Sequence, residues 1–519
     1  MTSPRPLAGM ALSELLADLN LSHTSLSVEL ASLVVSGLQL DSRKLVPGDL
    51  FIAYPGLHSD GRHYLAQAQA AGAVAALVES ENYKPTNETP LPVIAIENLA
   101  HKVSAIAGRF YADPSASLPL IGITGTNGKT TCTQLLAQLF ALLGKPAGVI
   151  GTLGYGLLAA DANSTLVNTG LTTPDAVSVQ RILAELLDDG AAVVAMEVSS
   201  HSLDQGRVAG LHFSTAVFTN LTQDHLDYHQ TMAAYQQAKA QLFNAPGLQN
   251  AIVNSDDLAG RTIITELAAS SEVSCYAYSR SQKEADIYVA ELTFGSQGIC
   301  AQLVTPWGQG ELRSHLQGEF NLSNLLAVIG AACVEGHALP AVLAAVAQLK
   351  SVPGRLEVVN AQALPVVVVD YAHTADALEK ALTALRPACQ GRLWCVFGCG
   401  GDRDQGKRPV MGAIASELAD QLVITSDNPR SEDAQAIIDA VLEGVPTDSS
   451  KSDEPQVILD RRAAIRFAVN NAAEQDVVLI AGKGHEDYQL IKDQRLPFND
   501  VGEARLALRE LALRERGEA

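Results

Sequence analysis

Basic residues are scarce in this chain. Lys and Arg number 36 against 57 Asp and Glu, a formal net charge of −21 over 519 residues. That balance argues against nonspecific nucleic-acid binding and against docking on an anionic membrane, since both need a basic face. It leaves room for small anionic substrates, which a few local cations can hold against the global field. Long apolar runs are missing too: none approaches the roughly 18 residues that span a bilayer. The opening segment, MTSPRPLAGMALSELLADLN, carries Glu14 and Asp18 within a helical pattern and lacks the charged-then-apolar layout of a secretory signal. A cytoplasmic protein is expected. The seven cysteines (132, 275, 300, 333, 389, 395, 399) are scattered and form no CxxC pair, which points to buried free thiols rather than to zinc. No internal repeat or low-complexity segment is present.

A hydrophobic content of 47% with mean hydropathy +0.12 fits a globular protein, and 519 residues are too many for one core. The fold class expected is α/β in three domains. Residues 1–117 read as a small mixed α/β domain, with short strand phrases such as GDLFIAYPG, AVAALVES and LPVIAIEN. Beyond FYADPSASLP the pattern alternates strand and helix, predicting a central P-loop domain with a largely parallel sheet over 118–352. In that stretch Thr173 reads as a helix N-cap, with Pro174 in the first turn. A break at LKSVPGRLEVV opens a Rossmann-like α/β domain over 353–519.

One pattern outweighs any single motif. Strand after strand finishes in polar residues: Glu197 and Ser199, Asn220, Asn254 and Asp256, Asp370 and His373, Gly400 and Asp402, Asp427 to Arg430, Lys483 to Glu486. Turn preference accounts for the Asp, Asn and Gly but less well for the Lys, His, Glu and Arg. Open parallel sheets bind ligands at the carboxyl ends of their strands, so a cleft between the two α/β domains is expected.

The stretch LPLIGITGTNGKTT ends an apolar run and opens a helix. Gly125 and Gly128 let backbone N–H groups turn inward, Lys129 adds a point charge, and the Thr130 hydroxyl is placed to reach Mg²⁺. The usual P-loop spacing wants a glycine six positions before the lysine, where Ile123 stands. Downstream, Glu197 in MEVSSH and Asp224, His225, Asp227 and His229 in TQDHLDYH supply carboxylates and imidazoles suited to a divalent metal near phosphate. Residue type alone does not single out Lys239, on the helix that follows.

GITGTNGKTT, MEVSSHSLDQGR, FTNLTQDHLDYH, EFNLSNLLA, VPGRLE, VDYAHTADAL, GCGGDRDQGKRP and TSDNPRSED, in this order, resemble the Mur ligase family of cell-wall peptide synthesis. The resemblance runs over nearly the whole chain and makes GTNGKT the family's own phosphate loop. It implies an ATP-dependent amide ligation. The γ-phosphate would pass to a carboxylate, and an amine would attack the resulting acyl phosphate. ATP and Mg²⁺ are the implied cofactors, and a monomer working on small molecules is expected. Carried over by motif, Gly125, Thr126, Asn127, Gly128, Lys129, Thr130 and Thr131 would hold the ATP phosphates. Asn321 and Asn324 would lie on the adenine side, with Arg355 and Asp370 reaching the nucleotide from the C-terminal domain. Thr130 would bind one Mg²⁺, Glu197 and His225 would bind a second, and Lys239 falls where the family carries a carbamylated lysine, whose anion would help hold metal. Leu40, Ser42, Leu57, His58 and Ser59 would make domain 1–117 the UDP-sugar module. Thr172, Thr173, Ser199, Gln205 and Arg207 would hold the muramoyl peptide, although Leu171 stands where the family has an asparagine.

The motif DNPR bears on the amino acid added. It is similar to that of members that join meso-diaminopimelate to the D-Glu of UDP-N-acetylmuramoyl-L-alanyl-D-glutamate. Diaminopimelate carries a second ammonium–carboxylate centre that lysine lacks. Arg403 and Arg430 would grip its distal carboxylate through forked hydrogen bonds. Asp427, Asn428, Pro429, Gly482 and Glu486 would complete the pocket, with Asp427 and Glu486 toward the ammonium. The alternatives are a lysine-adding or folylpolyglutamate synthase-like ligase and, in another class, a non-catalytic nucleotide-binding regulator. A dead relative would be expected to have lost Lys129, Glu197, His225 or Lys239, and all four are present.

Overall fold

The computed structural model describes residues 9–17, 19, 27–56, 59–84, 91–158, 166–270, 272–295, 298–316, 318–360, 364–446 and 454–515. Three main sheets follow one another along the chain. The first has four parallel strands in sequence order: β1 (Gly37–Gln39), β2 (Asp49–Ala53), β3 (Ala75–Glu79) and β4 (Val93–Ile96). Helix α1 (Leu99–Phe110) covers one face, burying Leu99, Val103, Ile106 and Phe110 at a helical repeat.

The second sheet has ten strands: β5 (Leu120–Thr124), β6 (Ala147–Gly151), β7 (Gly154–Leu158), β8 (Val193–Glu197), β9 (Thr215–Phe218), β10 (Asn250–Asn254), β11 (Ser274–Ser279), β12 (Ile287–Gly295), β13 (Gly298–Thr305) and β14 (Gly308–Ser314). Their spatial order is β14-β13-β12-β11-β10-β9-β5-β8-β6-β7. The run from β12 to β6 is parallel, as the strand–helix alternation predicts, while antiparallel strands extend both edges. From β5 the chain steps over β8 to β6, and β9 then lies on the other side of β5. The order therefore reverses at β5, whose carboxyl end carries the phosphate loop.

Helix α2 (Lys129–Leu142) is buried almost all round from Thr130 to Phe140, because the sheet lies on one side and α5 (Glu319–Val334) on the other. Ile121, Ile123, Leu135, Leu136 and Leu139 have no exposed surface, and each such side chain contributes about 1.5–3 kcal/mol by leaving water. Helix α3 (Ala176–Asp188) begins later than expected. Asp175, not Thr173, is the N-cap, its Oδ1 accepting the Ser178 N–H at 2.9 Å. The Thr173 hydroxyl instead donates to the Glu197 carbonyl at 2.9 Å. Helix α4 (Met232–Ala240) carries Lys239.

The third sheet runs β15-β16-β20-β17-β18-β19, from β15 (Glu357–Val358), β16 (Val366–Asp370), β17 (Leu393–Phe397), β18 (Gln421–Ile424), β19 (Gln456–Val457) and β20 (Val477–Ala481). All its pairings are parallel except β15 with β16. Helices α6 (Ala375–Leu385) and α7 (Arg461–Asn471) cover opposite faces. The fully buried Arg461 is held by Asp500, with Nε and Nη2 donating to Oδ1 and Oδ2 at 2.8 and 2.7 Å. A hairpin of β21 (Tyr488–Ile491) and β22 (Gln494–Pro497) follows. Burial of the cysteines holds for Cys132, Cys333, Cys395 and Cys399, while Cys275, Cys300 and Cys389 are half-exposed; all seven are free.

Candidate active site

The phosphate loop is shaped by two glycines that no other residue can replace. Gly125 (φ +149°) and Gly128 (φ +88°) take left-handed conformations. A Cβ on Gly125 would stand 1.9 Å from Thr219 Oγ1, and one on Gly128 would stand 2.6 Å from Asn324 Oδ1. Lys129 Nζ folds back to donate to the Gly125 and Thr126 carbonyls at 2.8 and 2.9 Å. The end of β9 braces the loop. Asn220 Oδ1 accepts the Asn127 N–H at 2.9 Å, and Thr219 Oγ1 donates to the Asn127 carbonyl at 2.6 Å.

Glu197, at the carboxyl end of β8, is 1% exposed. Its Oε2 accepts from Thr130 Oγ1 at 2.9 Å and from Thr152 Oγ1 at 3.0 Å, and its Oε1 accepts the Thr152 N–H at 2.8 Å. A buried carboxylate against a P-loop hydroxyl is the donor set that Mg²⁺ takes from protein when phosphates and water supply the rest. His225 stands apart from this pair. It lies 3.4 Å from Asp224, its backbone is left-handed (φ +54°), and its ring meets His201 edge-on at 4.9 Å. Burial pulls both His201 and His225 down to about 4, so both rings are neutral near pH 7. Among the described residues no three His, Cys, Asp or Glu side chains converge as a ready metal cage.

Lys239 is 1% exposed, donates to the Gly125 carbonyl at 2.7 Å and lies 4.4 Å from the centre of the Tyr235 ring. Burial, reinforced by the Lys129 charge, drives its ammonium far below the usual lysine range.

The C-terminal sheet reaches this loop directly. Arg355 Nη2 donates to Thr130 Oγ1 at 3.2 Å, and its guanidinium lies 4.6 Å from the centre of the Tyr371 ring. Asp370, at the end of β16, accepts the Leu356 N–H at 2.7 Å, and burial raises its carboxyl. Asn127 Nδ2 donates to Asp376 Oδ2 of α6 at 2.8 Å. Asn321 and Asn324 are buried on α5, joined to each other at 3.3 Å.

Thr172, Thr173, Ser199, Gln205 and Arg207 also come together. Thr172 Oγ1 lies 3.1 Å from Thr152 Oγ1 and donates to it, since the Thr152 proton goes to Glu197, and Thr173 Oγ1 accepts the Ser199 N–H at 3.1 Å. Arg207 Nη1 donates to the Thr173 carbonyl at 2.8 Å, and its Nε donates to Gln205 Oε1 at 3.0 Å. In the N-terminal sheet region Leu40 packs against the core, Ser42 donates to Gln67 Oε1 at 3.0 Å, and Ser59 is exposed. Leu57 and His58 lie outside the described residues.

A cleft of about 1500 Å³ separates the central and C-terminal sheets. Thr152, Thr172, His201, Asp224 and His225 line one wall; Arg403, Asp427, Asn428, Arg430, Gly482 and Glu486 line the other. Arg430 is left-handed (φ +51°) and is held by its backbone: its N–H donates to the Leu490 carbonyl at 3.0 Å, and its carbonyl accepts the Lys492 N–H at 2.7 Å. Its Nη1 donates to the Gly401 and Asn428 carbonyls at 2.8 and 3.4 Å. Arg403 donates to the Asp402 carbonyl at 3.2 Å. Pro429 is buried between Asn428 and Arg430. Gly482 (φ +116°) must lack a side chain, since a Cβ would stand 2.7 Å from Asp427 Oδ2. Glu486 Oε2 is engaged by Lys483 Nζ and Asn428 Nδ2, each at 2.8 Å.

Comparison with known proteins settles the family. Residues 34–111, 123–332 and 354–484 match, respectively, the Mur ligase family catalytic domain, the Mur ligase middle domain and the Mur ligase glutamate ligase domain. A protein of Coxiella burnetii named UDP-N-acetylmuramoyl-L-alanyl-D-glutamate–2,6-diaminopimelate ligase is 48% identical over 96% of this chain and 100% of its own length. The chain belongs to the Mur ligase family. A Pseudomonas aeruginosa Mur ligase of the same name is 50% identical over 92% of this chain and 95% of its own. A solved structure with that name superposes at TM-score 0.68 with 34% identity, covering 97% of this chain and 100% of its own. A Mycobacterium tuberculosis folylpolyglutamate synthase complexed with ADP and AMPPCP shares the fold at TM-score 0.60 and 19% identity, covering 79% of this chain and 94% of its own.

Within this Mur ligase, sequence reading passed over Thr152, Thr219, Tyr235 and Asp376. Thr152 follows an apolar strand and reads as a loop residue, yet among the described residues it provides two of the three hydrogen bonds to the Glu197 carboxylate. Asp376 reads as first-turn helix chemistry, and its partner Asn127 is 249 positions away.

Proposed function

We infer that this Mur ligase joins meso-diaminopimelate to the D-Glu side-chain carboxylate of UDP-N-acetylmuramoyl-L-alanyl-D-glutamate, using ATP, in peptidoglycan precursor synthesis. The observation that carries the reading is the cleft itself. Thr152 and Thr172 line one side, with Thr152 bonded to the same Glu197 carboxylate that Thr130 of the phosphate loop meets, and an arginine pair with Asp427 and Glu486 lies on the other. In this reading residues 1–117 bind the UDP-sugar, 118–352 bind ATP and 353–519 bind the amino acid. The protein works on small molecules as a cytoplasmic monomer. Among its described residues no helix is long and apolar enough to cross a membrane.

The chemistry follows from charge. A carboxylate is a poor electrophile, and ATP is a second anion that must approach it. Lys129 and the backbone N–H groups at the start of α2 lower that repulsion and stabilise charge on the transferring phosphoryl group, while Asn220 takes the Thr126 and Asn127 N–H groups and so fixes the loop's shape. Thr130 would hold one Mg²⁺ and Glu197 with His225 a second, with a carbamate on Lys239 helping to hold metal; Mg²⁺ there would neutralise phosphate charge. Thr172, Thr173, Ser199, Gln205 and Arg207 orient the muramoyl peptide. Arg355, Asp370, Asn321 and Asn324 fix the nucleotide. The D-Glu carboxylate takes the γ-phosphoryl group, releasing ADP. The diaminopimelate amine then attacks the acyl carbon, and phosphate leaves with the oxygen that was the carboxylate's. Enclosure between the two walls protects the acyl phosphate from water. An uncharged amine is the form that adds carbon dioxide, burial at Lys239 shifts the balance toward that form, and a carbamate there would turn a cation into an anion.

Arg403 and Arg430 would select diaminopimelate over lysine by its distal carboxylate. An arginine pair facing no carboxylate would be left unpaired and partly desolvated. The test is phosphate release in the presence of ATP, Mg²⁺ and the UDP-muramoyl dipeptide, comparing diaminopimelate, lysine and glutamate. Release driven by diaminopimelate alone is expected. Release driven equally by lysine or glutamate would refute the assignment.

A further inference from the structure

Lys483 has no exposed side-chain surface, although it lies one residue beyond Gly482 in the wall of the cleft. A buried ammonium is costly unless every proton finds a partner. Here Nζ donates to Glu486 Oε2 at 2.8 Å and to Asn428 Oδ1 at 3.0 Å, and it lies 5.5 Å from the centre of the Tyr488 ring, within reach of a cation–π contact. The consequences fall on its partners. Asn428 Oδ1 also accepts the Leu490 N–H at 2.9 Å, so two donors face that oxygen and the amide can point only one way. Asn428 Nδ2 then donates to the same Glu486 Oε2 at 2.8 Å. Two donors therefore converge on one carboxylate oxygen of a half-exposed residue that lines the cleft.

We propose that Lys483 is a positioning residue for amino-acid selection: its buried ammonium locks Asn428 and Glu486 so that Glu486 turns its second oxygen, Oε1, toward the ammonium of the incoming amino acid. This rests on the diaminopimelate reading above. Lys483 does not itself line the cleft, and its effect passes through Glu486, which does. Removing the lock frees the carboxylate to rotate, and misplacing a binding group by about an ångström costs up to roughly a hundredfold.

Lys483→Met keeps the length and apolar stem of the side chain and removes the charge. Its KM for diaminopimelate should rise about tenfold to a hundredfold, while KM for ATP and for the UDP-muramoyl dipeptide stays within about twofold. Preference for diaminopimelate over amino acids lacking a distal ammonium should fall in parallel. In a Glu486→Gln background the same substitution should add little, since its route is already cut. Should Lys483→Met not fold, Lys483→Gln carries the same comparison. Unchanged diaminopimelate KM, equal losses for all three substrates, or full additivity with Glu486→Gln would overturn the proposal. A parent protein that never adds diaminopimelate would instead refute the functional reading, which separates the two failures.

Discussion

Replacing Arg430 with alanine tests how this Mur ligase tells diaminopimelate from lysine. The backbone at this position is held independently of the side chain, through the Leu490 and Lys492 hydrogen bonds of the neighbouring hairpin. Truncation should therefore leave the DNPR loop in place. Among the described residues the side-chain hydrogen bonds all leave from Nη1, to the Gly401 and Asn428 carbonyls. The opposite edge of the guanidinium is the one available to a ligand carboxylate. Removing one member of a partly buried, hydrogen-bonded charge pair costs about 2–4 kcal/mol, or ~30- to ~1000-fold in kcat/KM for diaminopimelate. Lysine has no distal carboxylate, so the phosphate release measured with it should not change. ATP binding, some distance away at the phosphate loop, should persist. Because φ is +51°, Arg430→Asn serves as a second variant that tolerates the left-handed backbone and should lose diaminopimelate equally. The assay is steady-state phosphate release with each amino acid, beside calorimetric ATP binding. Diaminopimelate kinetics unchanged in both variants would refute the reasoning.

Three further outcomes are expected. Lys239→Ala should lose most activity and regain part of it with added short-chain carboxylates, whereas Lys239→Arg should not be rescued; intact-protein mass spectrometry of the parent with and without bicarbonate checks for the carbamate. Asp500→Ala strands the fully buried Arg461 and should cost about 3–5 kcal/mol of stability, read by denaturant unfolding, with the KM values of the folded fraction unchanged. His201 and His225 are held at about 4 by burial against an ordinary value near 6.5. The unfolded chain thus takes up protons that the folded one refuses, so their contribution is complete above pH ~6.5 and declines as the pH falls toward ~4. Melting temperatures over that window should fall less steeply in His201→Asn.

Much of this site was legible in the sequence because its parts are local. GTNGKTT states the loop, the charge and the hydroxyl within seven residues, and strand-end chemistry marks Glu197 in the central sheet and Asp370, Asp427 and Glu486 in the C-terminal one. What escaped was long-range. Thr152 and Thr219 are ordinary loop threonines until folding sets them against Glu197 and Gly125. Thr173 passed for an N-cap because Thr-Pro-Asp offers two candidates, and the bond to the Glu197 carbonyl drew it away. The antiparallel edge strands alternate buried with exposed residues where the parallel core is buried throughout, and it is the pairing, made between distant positions, that fixes their direction. Lys239 reads as a solvated helix lysine because no local pattern reports that the Gly125 carbonyl lies above it.

The central claim is that the D-Glu carboxylate is activated by phosphoryl transfer before the amine attacks. The direct measurement uses UDP-muramoyl dipeptide carrying heavy oxygen in that carboxylate, turned over with ATP, Mg²⁺ and diaminopimelate. The account predicts that each amide bond formed delivers one heavy oxygen into inorganic phosphate. Amide product accompanied by unlabelled phosphate would contradict it.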